Sequence, residues 1–260
     1  MPFTLSHAAA VWPFQRTRLV LSALLIGSFA PDFAYFFFVN RSGRFAHTLE
    51  GAIVIDLPLS LIVLWLFQSF IKQPATQLLP RGFRARLKPE GNRFAFWPPR
   101  RLALIVVSIL IGTATHIFWD SFTHPFYWPY RHLSFLNRMV YLPIQGEVQM
   151  YKALQTGSTL FGLAVVAVWI ALWYRSTKPV ESQAGEPYSK GQILVITIAV
   201  PLLAFALALI KAYEDQGIPV IEFRPVLHFA LAAAIATITF SGIGLLICGA
   251  FFRTRVSEPA

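Results

Sequence analysis

The sequence predicts an all-α fold: a polytopic transmembrane helical bundle of about six spanning helices, with a short N-terminal interfacial or re-entrant helix. Three observations carry this. The 260 residues are 56% hydrophobic, with a mean hydropathy of +0.57. Charged residues make up 13% of the chain, too few to cover a soluble surface. Several apolar runs reach the roughly 20 residues that a helix needs to cross a bilayer. A net charge of +10 would also suit a nucleic-acid partner. In a membrane chain, however, basic loops set topology and touch anionic lipid, so the expected partner is membrane lipid and not nucleic acid. The single cysteine, Cys248, excludes an intrachain disulfide.

The elements follow in chain order. Residues 1–15 are apolar but too short to span; Thr4 or Ser6 would cap a short helix that Pro13 ends. Arg16 and Arg18 precede an apolar run, but Pro31 follows the small-residue site Ser28-Phe29-Ala30 and makes it a poor cleavage point, so this run is expected to stay as a helix. It forms the first span, Leu19 to Val39, and holds Pro31-Asp32. A polar turn over 40–50 leads to a second helix from about Gly51 to Ile71, containing Asp56 and Pro58. A basic, proline-rich loop covers 72–101. The third helix runs from Leu102 to about Ser121, and an aromatic loop over 122–155 suits the headgroup level. The remaining helices are expected at Gly157 to Tyr174, Gln192 to Ile210 and Val226 to Phe252. None of these three carries an acidic residue, and they read as scaffold. The expected domains are therefore a metal-site membrane domain at 1–175, a linker at 176–190 and a two-helix scaffold at 191–260.

With six spans, fifteen basic residues fall on one side and seven on the other. The positive-inside rule puts the fifteen in the cytoplasm, together with the N-terminal region and the 72–101 loop. Asp32, His47, Asp56, His116, Asp120 and His124 then lie near the outer face. His7 joins them if residues 5–13 form a re-entrant arm.

His116, Asp120 and His124 are spaced i, i+4, i+8, one drifting helical face about 12 Å long. Imidazole and carboxylate are ligands for borderline divalent metals, and ionisable groups at membrane depth are costly to keep. Pro125 disfavours helix at His124, which is expected to leave the line. Asp56 lies nine residues beyond His47, on the opposite face of a continuous helix. It is a ligand only if the helix starts after His47 and the turn folds back. His132 and His228 read as ordinary interfacial residues, and Glu50 as a helix N-terminal charge.

Four stretches carry a resemblance: Met1-Pro2-Phe3-Thr4-Leu5-Ser6-His7; Gly27-Ser28-Phe29-Ala30-Pro31-Asp32-Phe33; His47-Thr48-Leu49 with Asp56-Leu57-Pro58-Leu59; and Thr115-His116-Ile117-Phe118-Trp119-Asp120-Ser121-Phe122-Thr123-His124-Pro125. Together with Leu154-Gln155-Thr156-Gly157-Ser158, they resemble the DUF4184 family of bacterial membrane proteins, a relative of the LexA-regulated membrane-bound metal-dependent hydrolases. The ligand order is more distantly similar to the zinc-dependent phospholipase C and S1/P1 nuclease group. No His-x3-Glu follows His124, so a one- or two-metal site is the most this chain would hold. The resemblance implies a bacterial inner-membrane protein with a divalent metal, Zn or else Mn, and no organic cofactor.

With a metal present, His47, His116 and Asp32 are candidate ligands. Asp120 would bridge two ions, and His7 or His124 would hold the second. Asp120 and His124 are the candidate catalytic groups. Thr115, Ser121, Thr123 and Gln155 would support the ligands, and Arg41, Arg44, Arg131 and Arg138 would hold a phosphate. The expected activity is hydrolysis of an ester or phosphoester, lipid included, at the outer leaflet. The alternatives are an ion-coupled transporter and a non-catalytic scaffold with a structural metal or polar cluster. No Gly-rich phosphate loop, Ser-His-Asp set or cysteine-pair signature is present.

Overall fold

A computed structural model describes residues 3–36, 44–87, 94–125, 127–143, 146–180, 188–217 and 223–253. It is a helical membrane bundle. Five helices are long and apolar enough to cross a membrane: Leu49–Gln77, Pro99–Ser121, Met150–Ser176, Lys190–Asp215 and Phe229–Phe252. A sixth apolar helix, Leu21–Asp32, is shorter, at about 18 Å by helical rise. The expected first span reached to Val39; residues 37–39 lie outside those described.

The described residues group into two units. The first begins with an arm, Thr4–Phe14, wound as a 3-10 helix. Helix α1 (Leu21–Phe29) follows, tightening into a 3-10 turn over Ala30–Asp32. Helix α2 (Leu49–Gln77) belongs to this unit as far as Leu64. It starts at Thr48, whose hydroxyl accepts the Gly51 N–H at 3.0 Å and donates to the Phe45 carbonyl at 2.7 Å. Two π-helical turns, Ala52–Asp56 and Phe67–Ile71, interrupt it. Helix α3 (Pro99–Ser121) buries Ile105, Ser108, Ile109, Gly112, Thr113, His116 and Asp120, one stripe at helical spacing.

That stripe packs on α1 almost backbone to backbone. A Cβ on Gly112 would stand 2.2 Å from the Leu24 carbonyl oxygen, and one on Gly27 would stand 2.2 Å from that of Ile109. Small residues at both contacts are what allow this approach, the usual means by which helices associate in lipid. Two side chains of α3 also satisfy α1: Ser108 Oγ accepts the Val20 N–H at 2.9 Å, and the Thr113 hydroxyl donates to the Gly27 carbonyl at 3.1 Å.

The expected aromatic loop over 122–155 is more structured than its composition implied. It holds a helical turn, Trp128–His132, and an antiparallel hairpin of β1 (Met139–Leu142) and β2 (Gly146–Gln149). Gly146 takes φ 73°, a turn conformation that favours glycine. Helix α4 (Met150–Ser176) consequently starts seven residues before the expected Gly157. Four-residue strands flanked by aromatic and basic residues give too short an alternation to stand out from a headgroup-level loop.

The second unit contains α2 from Trp65 on, α5 (Lys190–Asp215) and α6 (Phe223–Arg253). Ser189 and Gln192 form a capping box at the start of α5. The core of this unit is apolar: Tyr188, Ile196, Leu245 and Cys248, with Ile71, Val200 and Phe252 against them.

Candidate metal centre

The short 3-10 pitch of the arm sets the first part of the site. At 3.0 residues per turn, Thr4 and His7 share one face. The Thr4 hydroxyl donates to Asp32 Oδ2 at 2.6 Å, and His7 Nε2 lies 3.5 Å from Asp120 Oδ1. Pro31 sets the second part. It has no N–H, and at this point α1 narrows into the turn that ends on Asp32. Just before the turn, the Ser28 carbonyl accepts a hydrogen bond from His116 Nδ1 at 2.8 Å. His47, ahead of the Thr48 cap, and the i,i+4 pair His116 and Asp120 complete the set.

Four atoms from three regions of the chain converge. His47 Nε2 is 3.5 Å from Asp32 Oδ1 and 3.5 Å from Asp120 Oδ2. His116 Nε2 is 3.8 Å from Asp32 Oδ1 and 3.5 Å from Asp120 Oδ2. These separations exceed the about 2.7–3.2 Å of an N–H···O hydrogen bond. They lie near the edge of a tetrahedral ligand set, since atoms about 2.0–2.1 Å from a zinc ion stand about 3.4 Å apart. Asp32, His116 and Asp120 are 0% exposed. Among the described residues, His7 Nε2, Asp32 Oδ1, His116 Nε2 and Asp120 Oδ2 are buried without a hydrogen-bond partner. Such atoms are rare in folded proteins and here they point at one another.

The tautomer of His116 sharpens this. A carbonyl can only accept, so Nδ1 carries the proton donated to Ser28. Nε2 then faces two carboxylate oxygens, and lone pair against lone pair repels. A cation between them, or a second proton on the ring, resolves the conflict. An Nδ1–H bound to a backbone carbonyl is also the usual way in which a ligating imidazole is fixed. The arrangement could therefore hold a metal ion through either of two ligand groups that share His116: His47, His116 and Asp120, or His7, Asp32 and His116. Burial and the neighbouring His116 push the His7 imidazole down to about 4, so its ring is neutral near pH 7. Burial likewise lowers His124.

His7, Asp32, His47, His116 and Asp120 thus come together as the sequence grouped them. His124 leaves the helix, which ends at Ser121. Its Nδ1 turns back to the Asp120 carbonyl at 3.1 Å and lies 3.6 Å from Asp120 Oδ2. For Asp56 only the first half of its condition is seen: α2 starts after His47, but Asp56 is in neither ligand group. Its carboxylate is buried with both oxygens lacking a hydrogen-bond partner. Of the expected supporting groups, the Thr123 hydroxyl lies 3.5 Å from Asp120 Oδ1. The Thr115 and Ser121 hydroxyls instead donate to carbonyls of their own helix, Gly112 and Phe118. The Gln155 carbonyl accepts from Ser158 and Thr159. Arg44, Arg131 and Arg138 are exposed, and Arg41 lies outside the described residues. His132 stacks on Trp128 at the surface; the His228 side chain is outside those described. The sequence reading missed Thr4, the Ser28 carbonyl and Tyr127, whose hydroxyl lies 3.4 Å from the His47 carbonyl.

Fold and site together define a helical membrane protein with a buried histidine–aspartate cluster that could hold a metal. The chain belongs to the family described as a domain of unknown function, DUF4184, whose model matches residues 1–248. No curated protein and no solved structure matches it. The expected relationships to the LexA-regulated metal-dependent hydrolases and to phospholipase C find no support in these comparisons.

Proposed function

We propose that this protein is an integral-membrane, metal-dependent hydrolase that cleaves a phosphoester or ester, with lipid as the source of substrate, at the outer leaflet. The observation that carries the proposal is the buried cluster of His47, His116, Asp32 and Asp120, whose facing nitrogen and oxygen atoms lie 3.5–3.8 Å apart, a spacing that suits ligands of one ion as well as ion pairs. Two carboxylates and neutral imidazoles balance the charge of one divalent ion, and this donor set suits zinc, with manganese the alternative. When bound, such an ion supplies an activated water and polarises the scissile ester or phosphoryl oxygen.

The chain's own groups have distinct tasks. Thr4 holds Asp32 by one oxygen and leaves the other turned inward. The Ser28 carbonyl fixes the His116 ring. His124 sits at the edge of the cluster, its side chain 17% exposed against 0% for Asp120. Its Nδ1 donates to the Asp120 carbonyl, so its Nε2 is free to accept a proton and pass it outward. Exposed arginines such as Arg44 and Arg131 would hold a phosphate.

Closure of the four donors favours a second reading, a structural ion that ties α1, α2 and α3 together, since catalytic sites keep a position open. Metal analysis of purified protein with a panel of lipid and soluble phosphoesters separates the two. The hydrolase reading expects one or two ions per chain, and turnover that Asp120→Ala abolishes. Bound metal without turnover favours the structural tie, and absence of metal defeats both.

A further inference from the structure

The four-atom set comes from α1, the turn before α2, and α3. His7 comes from elsewhere, and its support is of another kind. The arm is held by α4, a helix of which Gly162 is the only buried residue. There, a Cβ would stand 2.6 Å from the Ser6 carbonyl oxygen and 2.7 Å from Ser6 Cβ, so only glycine lets the arm seat. The Phe3 N–H donates to the Thr159 hydroxyl at 3.1 Å, three residues before Gly162 on the same helix. Further along, Trp12 stacks on Trp169, whose indole N–H donates to the Gln15 side chain at 2.6 Å. This seat places His7 flat on His116, ring centroids 3.8 Å apart, with Nε2 toward Asp120 Oδ1. That oxygen is not the one that faces His47 and His116.

We propose that His7 is a separable fifth donor of the metal site, and that Gly162 of α4 is its positioning residue. This rests on the metal reading given above. Of the two ligand groups, His47, His116 and Asp120 form one without the arm. Withdrawing the arm removes one nitrogen donor and uncovers the Oδ1 side of Asp120, where a ligand from outside would bind. An ion left with four protein donors then takes an outside ligand in the fifth position that His7 vacates.

The test uses the full chain in detergent with cobalt(II) as the metal, read by metal content and by visible absorption. Wild type is expected to bind cobalt with a five-donor spectrum. His7→Ala and Gly162→Leu should keep the ion with about tenfold lower affinity. Both should show the same spectral shift toward the stronger absorption of four-coordination. Added imidazole should bind His7→Ala and restore the wild-type spectrum. Unchanged spectra in both variants would overturn the proposal, as would loss of the ion from His7→Ala. A shift in His7→Ala without one in a folded Gly162→Leu would overturn the role of Gly162. Absence of cobalt from the wild type would instead defeat the underlying metal reading.

Discussion

The two units of the chain keep very different interiors. Among the described residues, every buried polar or charged side chain except Gln77 belongs to the first unit. The second unit packs Tyr188, Ile196, Leu245 and Cys248, and its lone buried amide accepts a hydrogen bond from Arg84 at 2.7 Å. Both units expose large apolar side chains along their helices, such as Phe161 in one and Leu202 in the other. The lipid-facing requirement is therefore the same, and apolar packing alone meets it in the second unit. The first carries three buried aspartates and three buried histidines that it does not need in order to be a bundle. Each is costly to bury unpaired. The contrast teaches that bundle packing alone does not account for the cluster.

The sharpest way to break the contrast is to remove one residue from each interior. His116→Ala deletes a donor shared by both ligand groups and leaves two carboxylates facing each other. The expected result is loss of the bound ion, at least 100-fold in affinity by competition with a chelator. Thermal unfolding should also lose the increment that metal gives the wild type. Ile196→Ala, in the other unit, should cost about 2–5 kcal/mol by the cavity it opens and leave metal content unchanged. If both variants lose metal equally, the two interiors are not independent and the contrast fails.

How much of this was legible in the chain follows from where each signal lives. The i,i+4 pair His116 and Asp120 announces itself, since a helix of that hydropathy has one burying face and both residues fall on it. Asp32 beside Pro31 is legible for the same reason. His47 and Asp56 could not be reconciled, because their relation depends on where α2 starts, and the Thr48 cap decides that over a single residue. Thr4 stayed hidden because an α-helix and a 3-10 helix place it differently relative to His7, and the sequence does not distinguish the two. Gly162 carries no chemistry at all. Its role arises only from a close approach between segments more than 150 residues apart, which no local pattern encodes. The hairpin was lost in a stretch whose aromatics serve the interface equally well as a loop.

Thr4 also gives the smallest effect that still discriminates. Its hydroxyl is the donor to Asp32 Oδ2, at 2.6 Å, its one hydrogen bond to the cluster among the described residues. Thr4→Val keeps the shape and the β-branch and removes only the hydrogen bond, so the arm should stay seated. If Asp32 is a ligand, that bond fixes which of its oxygens faces inward, and its loss should weaken metal binding by about tenfold. If the cluster is instead a proton-paired network with no ion, the same change leaves a buried carboxylate oxygen unsatisfied and should lower stability by about 1–3 kcal/mol, with nothing for a chelator to remove. Chelator titration and unfolding of this one variant therefore report on opposite outcomes. The first unit differs from the second by function only if the chelator response is the one that moves.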